Sequence, residues 1–224
     1  MNKTLSFVRL DFITVKPYLT LKNLIIFVGA AVFMILTNYG ASSSIGILMV
    51  LAALYASYPF ALGEKSNIDV LYATLSIKRK IVVLGRYLFA LTLDISSGLF
   101  AYIISFVLLT ALQRNFNSIE TLVTVFVLFL LFSIIQAIQL PIYFKLGYMK
   151  AKLLAYLPFF ALPLVIMLFS NFSKDFFAIE WVVGLLEWFA ANLAVTALVG
   201  VVVWLVIMAL SYRVSLSFYS KRDF

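Results

Sequence analysis

The sequence contains neither cysteine nor histidine in its 224 residues. Without cysteine, the chain has no disulfide, no thiolate nucleophile and no sulfur ligand for zinc. Without histidine, it has no imidazole to act as a base near neutral pH or to bind haem iron. These absences exclude the classes of enzyme that depend on either side chain.

Charged residues are scarce, at 12% of the chain, whereas hydrophobic residues make up 65%. An ordinary soluble domain is about 45–50% apolar and about 25% charged, and the mean hydropathy here is +1.12. One water-soluble core could not bury so much apolar surface. We therefore predict an all-α, polytopic membrane protein, with residues 1–224 forming a single transmembrane domain.

The nine glycines form neither GxxxxGK[ST] nor GxGxxG, the two loops that hold phosphates. If nucleotide is used, we expect another chain to bind it. The net charge of +8 is compatible with nucleic acid, but in a polytopic protein basic residues usually mark cytoplasmic loops beside anionic lipid. We predict membrane lipid as a partner and no nucleic acid.

Six apolar runs are long enough to cross a bilayer. They cover about residues 18–37, 45–62, 81–112, 121–143, 153–170 and 191–212. The third run is longer than a crossing needs, so it must tilt or project. Pro158 and Pro163 should kink the fifth, because each removes a helical hydrogen-bond donor. Residues 1–17 are too charged to span, and we predict an interfacial helix interrupted at Pro17.

The basic residues are distributed unequally in this six-span arrangement. Only Arg114 and Lys174 lie on one side, and the other fifteen of the seventeen lysines and arginines lie on the opposite side. Basic residues collect on the cytoplasmic side of membrane proteins. We therefore predict that both termini are cytoplasmic.

The polar segment 63–80, between the second and third spans, carries one apolar stripe. On a helix, Ile68, Leu71, Tyr72 and Leu75 follow the i, i+3, i+4, i+7 spacing of a single face. The pattern predicts a short amphipathic helix. Two interpretations remain open: the helix lies on lipid, or it docks into a groove of a partner.

The run DVLYATLSIKRKIVVLGRYL, residues 69–88, resembles the segment between the second and third helices of small ABC type-2 exporter permeases. The order of elements agrees with that family: an interfacial first helix, six spans, a polar segment after the second span and an aromatic-rich external segment before the sixth. Ser76 stands where the family often has proline.

The resemblance implies that segment 64–80 is a coupling helix seated in a cleft of a separate ABC ATP-binding subunit. That subunit would bind ATP and magnesium, and this chain would hold no cofactor and no catalytic residue. The implied docking residues are Glu64, Asp69, Leu71, Tyr72, Leu75, Lys78 and Arg79.

The family also implies half a pore in the bacterial cell membrane, completed by a second copy of the chain or by a similar permease. The apolar spans suggest an amphipathic or hydrophobic substrate. By analogy with exporters of phenol-soluble modulins and antimicrobial peptides, we expect a peptide toxin or an antimicrobial peptide first. Other permeases of this kind expel antibiotics, so a drug is the second expectation.

Asp94 is the one carboxylate well inside a span, where an isolated charge is costly. Either it relays protons or cations, or it is structural. In the structural case it pairs with Arg86, two helical turns earlier, or lies near the inner interface. Gln136 and Gln139 share one face of the fourth span. Their amides either hydrogen-bond across a helix interface or line a pore.

Residues 171–190 form an external segment rich in aromatic side chains. Glu180 and Glu187 are seven residues apart and form a narrow polar strip on it. The segment is either an interfacial or re-entrant helix, or a surface that helps an amphipathic substrate to leave.

Two other classes of function fit the sequence less well. An ion-coupled secondary transporter predicts inverted repeats with matching broken helices, and the chain shows no convincing repeat. An intramembrane lipid-modifying enzyme needs an activated nucleophile or a carboxylate cluster, and only Asp94 is available.

Overall fold

The computed structural model describes residues 3–37, 41–66, 68–74, 77–176, 188–189 and 191–222, and this part of the chain is helical without a strand. The predicted all-α class is confirmed. The helices are α1 (Lys3–Val15), α2 (Leu21–Leu36), α3 (Ala41–Lys65), α4 (Ile68–Thr74), α5 (Arg79–Ala111), α6 (Ser118–Leu146), α7 (Tyr148–Phe176) and α8 (Leu193–Ser220), with a 3-10 turn at Lys16–Tyr18.

Four of these helices, α3, α5, α6 and α8, are long and apolar enough to cross a membrane, among the described residues. The segments Lys3–Tyr18 and Leu21–Leu36 pass the same test only when taken together, and they meet at an angle of 81°. A multi-pass membrane protein is therefore supported, with four spans or up to five by length and composition. The count of six spans stays a prediction.

The bend between α1 and α2 lies at the 3-10 turn that contains Pro17. Proline has no N–H to donate and fixes its φ angle, so it disfavours a continuous helix here. The helix α2 begins after Thr20, whose side chain accepts a hydrogen bond from the Asn23 amide at 3.4 Å. The interruption therefore lies at Pro17, where the sequence predicts it.

The long third run is one helix, since α5 has 33 residues. At 1.5 Å per residue it measures about 50 Å, more than the hydrocarbon thickness of about 30 Å. The helix α7 continues across positions 158 and 163, so the two prolines do not end it.

The polar connection expected at residues 144–152 is replaced by a single residue. Helix α6 ends at Leu146 and α7 begins at Tyr148, so only Gly147 joins them. Spans predicted from apolarity end at Tyr143 and restart at Leu153, but backbone hydrogen bonds carry both helices through Lys145 and Lys150. Helix ends depend on capping rather than on apolarity.

The core of the described chain forms around α3, which packs against α2, α5, α6 and α7 and also contacts α1 and α4. One apolar cluster contains Phe89 and Phe144, and a second contains Met49 and Ile135. Large apolar side chains remain exposed on the outer faces of α2, α5, α7 and α8, as expected for surfaces that face lipid.

The two ends of the helix bundle differ in charge. At one end, called the basic end, α3, α6 and α8 finish and α5 and α7 start. It carries Lys65, Arg79, Lys145, Lys150 and Lys221. At the opposite end, Arg114 Nη1 donates a hydrogen bond to the Ile35 carbonyl at 2.6 Å, which joins the α5–α6 connection to the end of α2.

Candidate functional site at the basic end

A short helix occupies the segment in which the sequence predicted one. Helix α4 has seven residues and contacts α3. The Tyr72 ring is 4% exposed and meets the Phe7 ring of α1 edge-on, with the centroids 5.1 Å apart. Leu71, the preceding residue, is 52% exposed. Adjacent residues of a helix point about 100° apart. The side of α4 that carries Tyr72 therefore packs on the rest of the chain, and the side that carries Leu71 is exposed.

The resemblance implied that Tyr72 packs against the ATPase, and in this chain the residue is already buried. Its ring is buried in its own chain, in one apolar cluster with Phe7 and Val8 of α1. Its contact is therefore the attachment of α4 to α1, and Leu71 is the exposed apolar residue. Leu75 and the side chain of Asp69 lie outside the described residues.

Glu64, near the end of α3, lies beside the start of α7. Its Oε2 accepts a hydrogen bond from the Met149 amide at 2.9 Å. A carboxylate stabilises a helix N-terminus by accepting from its unpaired amides and by interacting with the helix dipole. Gly147 has φ of +76°, and a Cβ built there would lie 3.0 Å from the same oxygen. Glu64 therefore joins α3 to the α6–α7 connection.

Arg79 and Lys78 have different surroundings. Arg79 Nη1 donates to the carbonyl of Tyr219 at 3.2 Å and to that of Ser220, in the last turn of α8. A cation at a helix C-terminus is favoured by the dipole, so Arg79 joins α5 to α8. Lys78 is exposed and makes no side-chain cap on α5.

A buried ion pair holds α1 against α5. Arg86 Nη1 lies 3.4 Å from Asp11 Oδ1, and the two side chains are 4% and 1% exposed. The guanidinium also lies over the Phe60 ring, 4.9 Å from its centroid. Burial raises the pKa of the Asp11 carboxyl to about 6, although the charge of Arg86 opposes this rise.

The proposed partnership of Asp94 with Arg86 is wrong, since Arg86 pairs with Asp11. Eight residues along one helix span about 12 Å, too far for a direct contact. Asp94 is fully buried, and its Oδ1 accepts from Gln136 Nε2 at 2.8 Å. Gln139 Nε2 donates to the Ala155 carbonyl of α7 at 2.8 Å. Both amides therefore hydrogen-bond across helix interfaces.

Sequence reasoning missed Asp11 and a second set of polar contacts between α5, α6 and α8. The Tyr87 hydroxyl lies 2.8 Å from Ser215 Oγ and also contacts Ser211 Oγ. Trp204 Nε1 donates to Ser133 Oγ at 2.6 Å. Two signals were available: a single acidic residue in the basic first segment, and serines four apart on an apolar helix.

The remaining predicted residues, Glu180 and Glu187, lie outside the described residues. Within the described ranges, no group of three or more Asp and Glu side chains is arranged to hold a metal ion. The polar groups that the structure does bring together join helices to one another.

These features define a multi-pass helical membrane protein with a short helix attached at its basic end. A family model described as ABC-2 family transporter protein matches residues 6–220. The chain therefore belongs to the ABC-2 transporter family, as the resemblance indicated. It is a membrane transport subunit and not itself catalytic, with the ATPase on a partner chain. No curated protein and no solved structure matches the chain.

Proposed function

We propose that this chain is the permease subunit of an ABC exporter, which moves an amphipathic or hydrophobic substrate out of the cell. The substrate class is a peptide toxin, an antimicrobial peptide or a drug. ATP and magnesium bind to the separate ATPase subunit, and two permease chains, identical or similar, form the pore. The protein lies in the bacterial cell membrane with the basic end and both termini in the cytoplasm.

The observation that carries the proposal is the two-sided position of α4. The helix is attached through Tyr72 and presents Leu71 outward at the basic end. A helix that only lay on lipid would not need a buried aromatic anchor to its own chain. An exposed apolar residue on a short anchored helix fits the groove of a partner subunit.

A chain of packed contacts leads from α4 into the long helix α5. Phe7 of α1 contacts Tyr72 of α4 and also lies against Gly85 of α5, where a built Cβ would be 2.4 Å from Phe7 Cδ1. The Asp11–Arg86 pair lies on the same α1–α5 interface. Close-packed interiors transmit displacement, so a push on α4 by the ATPase would move α1 and α5 together.

The buried polar groups support the substrate class. Asp94, Gln136 and Gln139 are buried and bond across helix interfaces within the chain, and many of the large exposed side chains of the long helices are apolar. A sugar or a metal ion needs polar or charged groups that remain available to it. An amphipathic or hydrophobic substrate needs fewer of them, because its apolar part binds apolar side chains.

The test is co-purification of the ATPase with the tagged permease from its native membrane. We expect Leu71→Ser to reduce the recovered ATPase several-fold, because the change removes an exposed apolar contact. The matched control is Met149→Ser at the basic end, with a side chain 64% exposed, and it should retain the ATPase. Equal recovery with both variants contradicts docking through α4, and absence of any ATPase from the wild type contradicts the proposed function.

A further inference from the structure

A groove of about 640 Å³ runs between the start of α5 and the last turns of α8. Its lining consists of basic, hydroxyl and apolar residues: Lys78, Arg79, Lys80, Arg213, Leu216, Ser217 and Ser220. None of these described lining residues is acidic. Three of the lining residues, Lys78, Arg79 and Lys80, follow α4 closely in the sequence, but none of the lining residues belongs to that helix.

Four basic side chains lie close together in this groove. Lys78, Lys80 and Arg213 are exposed, while Arg79 is held by the α8 carbonyls. The first turn of α5 contains no acidic side chain, so the positive end of its dipole adds to the field. Four like charges around one groove repel each other unless an anion neutralises them.

The position of the groove indicates where that anion comes from. Arg213, Leu216, Ser217 and Ser220 follow the i, i+3, i+4, i+7 spacing of one face of α8. The most apolar stretch of α8 is not buried within the chain, so this face continues into the surface that meets lipid. Arg213 lies about two turns before the end of the helix. The part of α8 before it has about the 20 residues that cross the hydrocarbon.

We propose that this groove binds the headgroup of an anionic phospholipid. Lys80, Arg213 and Lys78 hold the phosphate, with the planar guanidinium able to bind it through two parallel hydrogen bonds. The Ser217 hydroxyl donates a further hydrogen bond, whereas that of Ser220 already donates to the Ser217 carbonyl at 2.9 Å. An acyl chain follows the apolar face of α8 past Leu216. The bound lipid joins the start of α5 to the end of α8, the junction that Arg79 already stabilises.

The test uses the complete chain in vesicles that contain brominated phosphatidylglycerol or brominated phosphatidylcholine. A Leu216→Trp reporter places a fluorophore in the groove, and bromine quenches tryptophan on contact. The parent chain without the reporter gives the signal of Trp181, Trp188 and Trp204, which is subtracted. We expect the reporter to be quenched preferentially by phosphatidylglycerol.

In the reporter background, Lys80→Gln/Arg213→Gln should lower this preference about fivefold for each basic side chain removed. Lys78 is left unchanged because it is one of the proposed docking residues, which Lys80 and Arg213 are not, so failure of one proposal does not decide the other. The matched control is Lys150→Gln/Lys152→Gln, which removes two exposed charges from the same end and should keep the preference. Lys80→Arg/Arg213→Lys keeps the charge and should also keep it.

Three outcomes overturn the proposal. Equal quenching by the two brominated lipids shows that the groove does not select an anionic headgroup. If the preference for phosphatidylglycerol is the same in Lys80→Gln/Arg213→Gln as in the folded variant Lys80→Arg/Arg213→Lys, it does not depend on these two charges, and the selectivity lies elsewhere. A shift of the reporter emission on adding inorganic phosphate to phosphatidylcholine vesicles, without lipid preference, assigns the groove to free phosphate.

Discussion

The Asp11 carboxyl of the buried Asp11–Arg86 pair joins α1 to α5. Its ionised form nevertheless lowers the stability of the folded chain relative to its protonated form. Its burial disfavours the charged form more than the nearby guanidinium favours it. The ordinary pKa of 3.8 rises to about 6 in the folded chain. Between these two values, the folded state binds a proton that the unfolded state has released.

We therefore expect the stability contribution of protonated Asp11 to be fully present below about pH 4 and lost as the pH rises through about 6. The difference corresponds to about 3 kcal/mol. Asp11→Asn cannot titrate, so it should remove this part of the pH dependence of the unfolding midpoint in detergent. Parallel profiles for wild type and Asp11→Asn from pH 4 to pH 7 would contradict the raised pKa.

Gly85 is required by the close approach of α1 to α5. A methyl group at this position would lie 2.4 Å from Phe7 Cδ1, which is inside van der Waals contact. We expect Gly85→Ala to lower the free energy of unfolding by about 1–3 kcal/mol, as overpacked cores do. Thermal unfolding in detergent measures this change.

The matched control is Gly29→Ala in α2, where a Cβ would meet nothing within 4 Å. Alanine is the better helix former, so this variant should be as stable as wild type or more stable. Phe7→Leu should partly restore Gly85→Ala, because a smaller side chain then faces the new methyl group. Two alanine variants of equal stability would mean that α1 does not pack closely on Gly85.

At the scale of elements, α4 is held by its contacts with α3 and by a ring contact with α1. A seven-residue helix is marginal by itself, and Tyr72 contributes its buried ring contact. We expect Tyr72→Ala to release α4 and to increase protease cleavage in segment 63–80 several-fold, while the rest of the fold persists. Limited proteolysis in detergent measures the rate.

Thr74→Ala is the matched control for α4, because Thr74 is exposed and its hydroxyl bonds only within the helix, to the Leu71 carbonyl. It should be cleaved at the wild-type rate. Unchanged cleavage of Tyr72→Ala would show that other contacts hold the helix in place.

The sequence predicted elements better than it predicted their ends. The apolar runs 45–62, 81–112 and 121–143 correspond to α3, α5 and α6, but α3 extends to Lys65 and α6 to Leu146. Apolarity marks the part of a helix that lies in hydrocarbon, whereas capping groups fix where it ends. Glu64 capping α7 is an example, since its partner amide is distant in sequence.

Pairings between helices were the least predictable part of the candidate site. Arg86 and Asp94 are close in sequence, and their charges made a pair plausible. Arg86 instead meets Asp11, because α1 packs on α5. Such partners follow from tertiary packing, which cannot be read from the pattern of a single sequence. The segment 63–80 was found because its signal is local, a stripe of apolar residues on a short helix.

At the scale of the whole molecule, the proposed orientation can be tested directly, because the chain has no cysteine. Asn115 is exposed in the connection between α5 and α6, and Ser66 is exposed at the basic end. With a membrane-impermeant maleimide, we expect Asn115→Cys to be labelled in intact cells and Ser66→Cys only after permeabilisation. The cysteine-free parent is the control, and the reverse pattern contradicts the predicted orientation.

The single-residue connection between α6 and α7 leaves these helices almost no slack. Consecutive Cα atoms are 3.8 Å apart, so Leu146 and Tyr148 cannot separate by more than about two such steps. Gly147 sits in the left-handed region, with Glu64 packed against it. Any displacement of the end of α6 at the basic end must therefore move the start of α7 with it. The two helices form a hairpin whose closed end moves as one unit.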